Sequence, residues 1–131
     1  MTLDVKLLIL YAIYTEYQKD LPDMEFVSAA TLQIDFRMFG AAMMKLQNEE
    51  LITGARFEFI KQSPYPACIF MSHVAPTKKA IDFVENDLQI TGRTGREKAQ
   101  LLMKKFRDYS WDALTDFAAR VLVEIGKQSI R

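Results

Sequence analysis

The side chains best typed and spaced for chemistry are Arg37, Lys45 and Asn48, with Ala41 and Met44 between them. Steps of four, three, one and three residues put all five on one side of a helix. An arginine fork matches a guanine edge, an asparagine amide matches an adenine edge, and a small residue permits close approach. Gln47 stands at the margin of that stripe. Three acids, Asp35, Glu49 and Glu50, flank it and would repel phosphates. The same face with Met38 and Met44 also suits an adaptable protein contact, because methionine packs against varied surfaces. Two chemistries therefore stay open, base-edge readout and protein docking.

Other chemistry is thin. Lys61, Gln62, Ser63 and Tyr65 surround a turn and are candidate contacts to the same partner. Gly92-Arg93-Thr94-Gly95-Arg96 precedes a helix start, where N–H groups favour anions. It lacks the Lys-Ser/Thr ending of a nucleotide loop, so it reads as a linker with a capping box. A metal site needs several converging ligands. The single His73 and single Cys68 stand five residues apart, which on one strand points them to opposite faces. Cys68 is expected to be small, buried and inert, and His73 to lie at a strand end on the surface. No residue set is expected to be catalytic, to hold a metal or to bind a cofactor.

The elements that must position the stripe follow from periodicity and caps. Asp35 can cap a helix running to Ile52, with Phe36, Phe39, Met43 and Leu46 facing a core. Ser28 to Ile34 reads as a short capped helix just upstream, making a helix-turn-helix. Arg56 to Lys61 alternates as a half-buried strand does. Gln62 to Pro66 is its turn, and Cys68 to His73 the return strand. Helix-turn-helix plus ribbon is a winged helix. Leu3 to Lys19 forms a helix apolar on most sides, ended before Pro22. Such a helix needs cover on most sides, from the tail or from a second subunit. Thr77 caps a helix whose apolar face is Ala80, Ile81, Val84 and Leu88. Gln89 to Gly92 is a polar break. Thr94 and Glu97 have capping-box spacing and start a helix to about Tyr109, with Leu102, Phe106 and Tyr109 inward. Ser110-Trp111-Asp112 caps a last helix, ended by Gly126.

Composition bounds the rest. The chain has 131 residues, half of them hydrophobic, enough for a self-sufficient core. Its formal net charge is zero, which counts against strong non-specific nucleic-acid binding. The charge is unevenly placed: residues 1–54 carry four bases against eight acids, and residues 91–131 nine bases against five. The basic tail is expected to lie across the acidic half, within a chain or between chains. One cysteine suggests a reducing compartment, and no apolar run is long enough for a bilayer, so cytoplasm is expected.

Three segments, Val5 to Tyr14, Met44 to Gly54 and Thr77 to Val84, resemble in order and spacing the YjcQ-type small winged-helix proteins of Gram-positive bacteria and their phages. The resemblance covers about residues 1–88. Ala80 stands where the family is expected to have glycine. The resemblance implies a winged helix, a bacterial or prophage setting and a regulatory role, and carries over no catalytic residue.

The fold expected is mainly α with a small β-ribbon: a winged helix-turn-helix domain over residues 1–88 and a C-terminal helical pair over 89–131. The function expected is non-enzymatic binding by a DNA-binding regulator, or alternatively a winged-helix scaffold for protein–protein interaction. The partners expected are double-stranded DNA or another protein, with no membrane. Surplus apolar surface on the first and last helices points to a homodimer through Leu114, Phe117, Val121 and Ile125.

Overall fold

The computed structural model describes residues 3–90 and 94–129 of the chain. Among these residues the fold is mainly helical, with six α-helices and two small antiparallel ribbons. The expected helices form, with shifted ends. Helix α1 (Val5–Glu16) starts at Asp4, whose side chain accepts from the Lys6 N–H. Every side chain from Ile9 to Glu16 is buried. Helix α2 (Ala29–Leu32) is a single turn capped by Ser28, and Gln33 leaves it in the left-handed conformation. Helix α3 (Phe36–Asn48) is capped by Asp35, which accepts from the N–H groups of Arg37 and Met38.

The ribbon is split in two. Strand β1 (Ile52–Thr53) pairs with β4 (Ala75–Pro76), and β2 (Arg56–Glu58) with β3 (Cys68–Phe70). The second pair is shorter than the expected Arg56–Lys61 and Cys68–His73 strands. Gly54 makes the break, at φ 86°, with its Cα against the His73 carbonyl; a Cβ there would sit 1.9 Å from that oxygen. Gln47 of α3 bridges the gap. Its amide donates to the Ala55 carbonyl and accepts from the Ala55 N–H, at 3.0 and 2.9 Å. It thus replaces the ladder bonds that the break removes.

Helix α4 (Lys78–Leu88) is capped by Thr77 and buries Ala80, Val84 and Leu88. Thr91, Gly92 and Arg93 lie outside the described residues, and with them the first two residues of the Gly92–Arg96 loop. Within the expected polar break, Ile90 is fully buried. Helix α5 (Gly95–Asp108) opens with the Thr94–Glu97 capping box. Its Leu102 and Phe106 point inward, but Tyr109 is 46% exposed, because the helix has already ended there. Helix α6 (Asp112–Ser129) runs through Gly126 instead of ending at it. Gly126 has open space around it, so no contact or turn demands a stop.

The core explains α1. Helices α3, α4, α5 and α6 all contact it. Tyr11 stacks on Trp111 at 5.8 Å, and Phe26 stacks on Phe117 at 5.0 Å. Leu114, Phe117, Val121 and Ile125 are 0–8% exposed, inside this single chain. That corrects the expected interface: these four side chains are core, and the apolar surface of α1 is covered by α5 and α6 folding back, while Val123 of α6 stays exposed. Polar ties cross the same seam. Tyr11 donates to Asp87, Tyr14 donates to Glu85 at 2.7 Å, and Lys98 donates to Glu85 at 2.9 Å. Burial raises both tyrosine pKa values, and the carboxylates beside them add to it. Burial alone would push Glu85 up, yet its bonds from Lys98 and Tyr14 outweigh that and hold it below the usual carboxylate range.

Candidate nucleic-acid interface

Helix α3 presents two faces. Phe39, Gly40, Met43 and Leu46 are buried. Phe36, expected in that stripe, is 44% exposed because it sits in the first turn beyond the core's edge. On the other face Arg37, Lys45 and Asn48 are exposed, and Ala41 and Met44 are half-buried. The structure thus places all five stripe residues on one accessible side of one helix.

The β2–β3 hairpin leans on that helix. Gly40 permits it: a Cβ there would lie 2.9 Å from Cγ of Pro66. Pro66 is buried, and Tyr65 beside it joins Arg37, Met38, Ala41 and Asp35 in lining a depression of about 370 Å³. Ser63 sets the tip, its Oγ donating to the Tyr65 carbonyl and accepting from the Tyr65 N–H. Lys61 and Gln62 are exposed there, Gln62 with φ 63°. So Arg37, Ala41 and Tyr65 converge on one depression. Lys45 lies farther along the helix. Asn48 lines a different depression, shared with Lys6, Glu49 and Lys79.

The acids that count against a phosphate partner are partly neutralised. The Asp35 carboxylate is taken by the helix N-terminus. Glu49 is paired with Lys6 at 2.7 Å. Lys79 donates to the Glu49 carbonyl, which suits the negative end of α3. Glu50 has no cation partner among the described residues.

Three findings depart from expectation. Gln47, placed at the margin of the readout face, is turned inward and committed to Ala55. Cys68 is exposed. In the observed register Phe57 and Ile69 take the inner face of the hairpin, which leaves Arg56, Glu58, Cys68 and Phe70 outside. His73 lies in the turn beyond β3, exposed as expected, so the two do not share a strand. The hairpin is also more apolar outside than alternation foretold: Phe59 is 50% and Ile60 68% exposed. The Arg56 guanidinium lies 4.9 Å from the Phe70 ring centre. Among the described residues no three His, Cys, Asp or Glu gather as a metal site, and no helix is long and apolar enough to cross a membrane. Comparison of the chain with protein-family models, with curated proteins and with solved structures finds no match.

Proposed function

We propose that this chain is a non-enzymatic DNA-binding regulator, with α2–α3 as a helix-turn-helix and the β2–β3 hairpin as its wing. One observation carries the reading: Arg37, Lys45 and Asn48 stand exposed on one face of α3, with Ala41 low between them. A recognition helix needs long hydrogen-bonding side chains beside a small residue that lets the groove approach. Resemblance to the YjcQ-type proteins supports the same reading.

The test is duplex binding followed by fluorescence anisotropy at low salt. Arg37→Ala should weaken a selected site about 5- to 150-fold, the worth of one bidentate base contact, and relax sequence preference at one position. Binding unchanged by both Arg37→Ala and Lys45→Ala would remove α3 as the reader. A second reading, a winged-helix scaffold for a protein partner, is favoured by the exposed Phe59, Ile60 and Phe70 on the hairpin. Apolar docking tolerates salt that strips a duplex, so the salt response separates the two.

A further inference from the structure

The uneven charge of the sequence does not cancel in the fold. Among the described residues, the ion pair joining the first 88 residues to the last helices is Lys98–Glu85. The pairs Lys6–Glu49, Lys19–Glu16 and Lys78–Asp82 stay within the first part, and Lys127–Glu124 within α6. Among the described residues, therefore, no ion pair ties the basic tail to the acidic half.

Helix α5 turns three of its five cations to solvent. Arg96, Gln100, Lys104 and Arg107 follow at intervals of four, four and three residues, so they share one face, and all four are exposed. None of its three cations has an ion-pair partner among the described residues. At 1.5 Å per residue the stripe is roughly 16 Å long. The acids of the helix, Glu97 and Asp108, border the stripe on its Lys104 edge, Asp108 four residues after Lys104, so three cations face two acids along that side. The opposite face, Ala99, Leu102 and Phe106, is fully buried.

We infer that this α5 stripe is a second contact for nucleic acid, one that grips the phosphate backbone. It rests on the DNA-binding reading and adds where most of the phosphate-neutralising charge lies. A line of cations with a polar donor between them, Gln100, suits phosphate oxygens and carries no base preference. The α3 face, by contrast, has two cations with Asp35 and Glu50 close by in the chain. A lipid surface fits less well. An interfacial helix sinks its apolar face into the headgroups, and α5 has that face locked in the core.

The experiment is a salt titration of the full chain with a labelled 24-base-pair duplex, from 50 to 200 mM KCl, comparing wild type with the triple variant R96Q/K104Q/R107Q. Each neutralised phosphate adds about −0.9 to the slope of log K against log salt. The triple variant should lose about 2.7 from that slope, which removes an approximately 40-fold salt sensitivity across the range. It should keep the sequence preference. All three positions are exposed, so circular dichroism should show the wild-type fold. The variant R96K/R107K, which retains charge, should keep the wild-type slope. An unchanged slope in the triple variant overturns the α5 contact and leaves the α3 reading standing. Loss of binding in the triple variant alone, with Arg37→Ala and Lys45→Ala silent, sinks the α3 reading and supports α5. No duplex binding at 50 mM salt overturns both. Stripe-dependent binding to phosphatidylserine vesicles without duplex binding overturns the nucleic-acid partner in favour of a membrane.

Discussion

Replacing Lys19 by Met should strand a charge in the core. Glu16 is the last residue of α1, and its side chain is fully buried where the helix carbonyls converge. That is the wrong end of a helix dipole for an acid. Its Oε2 accepts from Lys19 Nζ at 2.9 Å and from the Asp23 N–H at 2.7 Å, while Oε1 has no hydrogen-bond partner. Burial raises the carboxyl pKa above its ordinary value, and the bonds from Lys19 and Asp23 pull against that. At 2.9 Å and an effective dielectric near 20, the gross attraction is about 6 kcal/mol, most of it offset by desolvation of both ions. Removing one partner leaves the other uncompensated, which costs about 3–5 kcal/mol. For a chain of this size that lowers Tm by roughly 11–18 °C. Methionine keeps the unbranched stem, so packing changes little. The sign with pH is set by the direction of the shift. A carboxyl raised in the fold holds its proton more tightly folded than unfolded, so stability falls as pH rises from the unfolded value through the folded one. Without Lys19 that rise is larger. The deficit of Lys19→Met should therefore be large at pH 7, shrink as pH falls through the raised folded values, and be largely gone by about pH 4.5, near the unfolded carboxyl value. Adding Glu16→Gln should recover much of it. Urea unfolding followed by circular dichroism at both pH values measures this. A loss under about 1 kcal/mol at pH 7, or one that ignores pH, refutes the argument.

Gln47→Ala should cost about 1–3 kcal/mol in urea unfolding, because the buried Ala55 N–H and carbonyl lose both partners. A silent substitution would show that water replaces the amide. Phe117→Asp should abolish the cooperative thermal transition, since the side chain is 1% exposed in the core. A folded variant with altered sedimentation would return Phe117 to an interface between copies. Cys68 should react with a thiol reagent in the folded protein as fast as in urea, because it is exposed on the outer face of the hairpin. Protection of the thiol until unfolding would reverse that register.

Helix starts were legible because their chemistry is local. Ser28, Asp35, Thr77 and Thr94 each bind backbone N–H groups two or three residues ahead, and nothing distant has to be known. The stripe Arg37 to Asn48 was legible for the same reason, since its spacing alone decides which residues share a side. What was not legible depends on partners far along the chain. The apolar stripe of α6 reads the same whether it meets α1 or another molecule. Cys68 faces out because Phe57 and Ile69 claim the inner side, a choice made by register and hidden in the alternation itself. Gln47 looked like a surface amide until the break at Gly54 gave it a backbone to hold. The buried pair Glu16–Lys19 had one signal, an acid and a base three residues apart at a helix end, and that pattern is as common in water as in a core.

Because α1 is enclosed by helices drawn from the whole chain, the order of synthesis matters. Roughly a hundred residues separate the end of α1 from the start of α6. At about 5–20 residues per second, the emerging first helix spends roughly 5–20 s without its last wall. During that interval Ile9, Leu10 and Ile13 are bare and adhesive. The nascent chain is then a client for chaperones, and closure by α6 is the step at which it stops being one. Long-range closure of this kind also slows folding, since the loop entropy must be overcome before the contacts repay it.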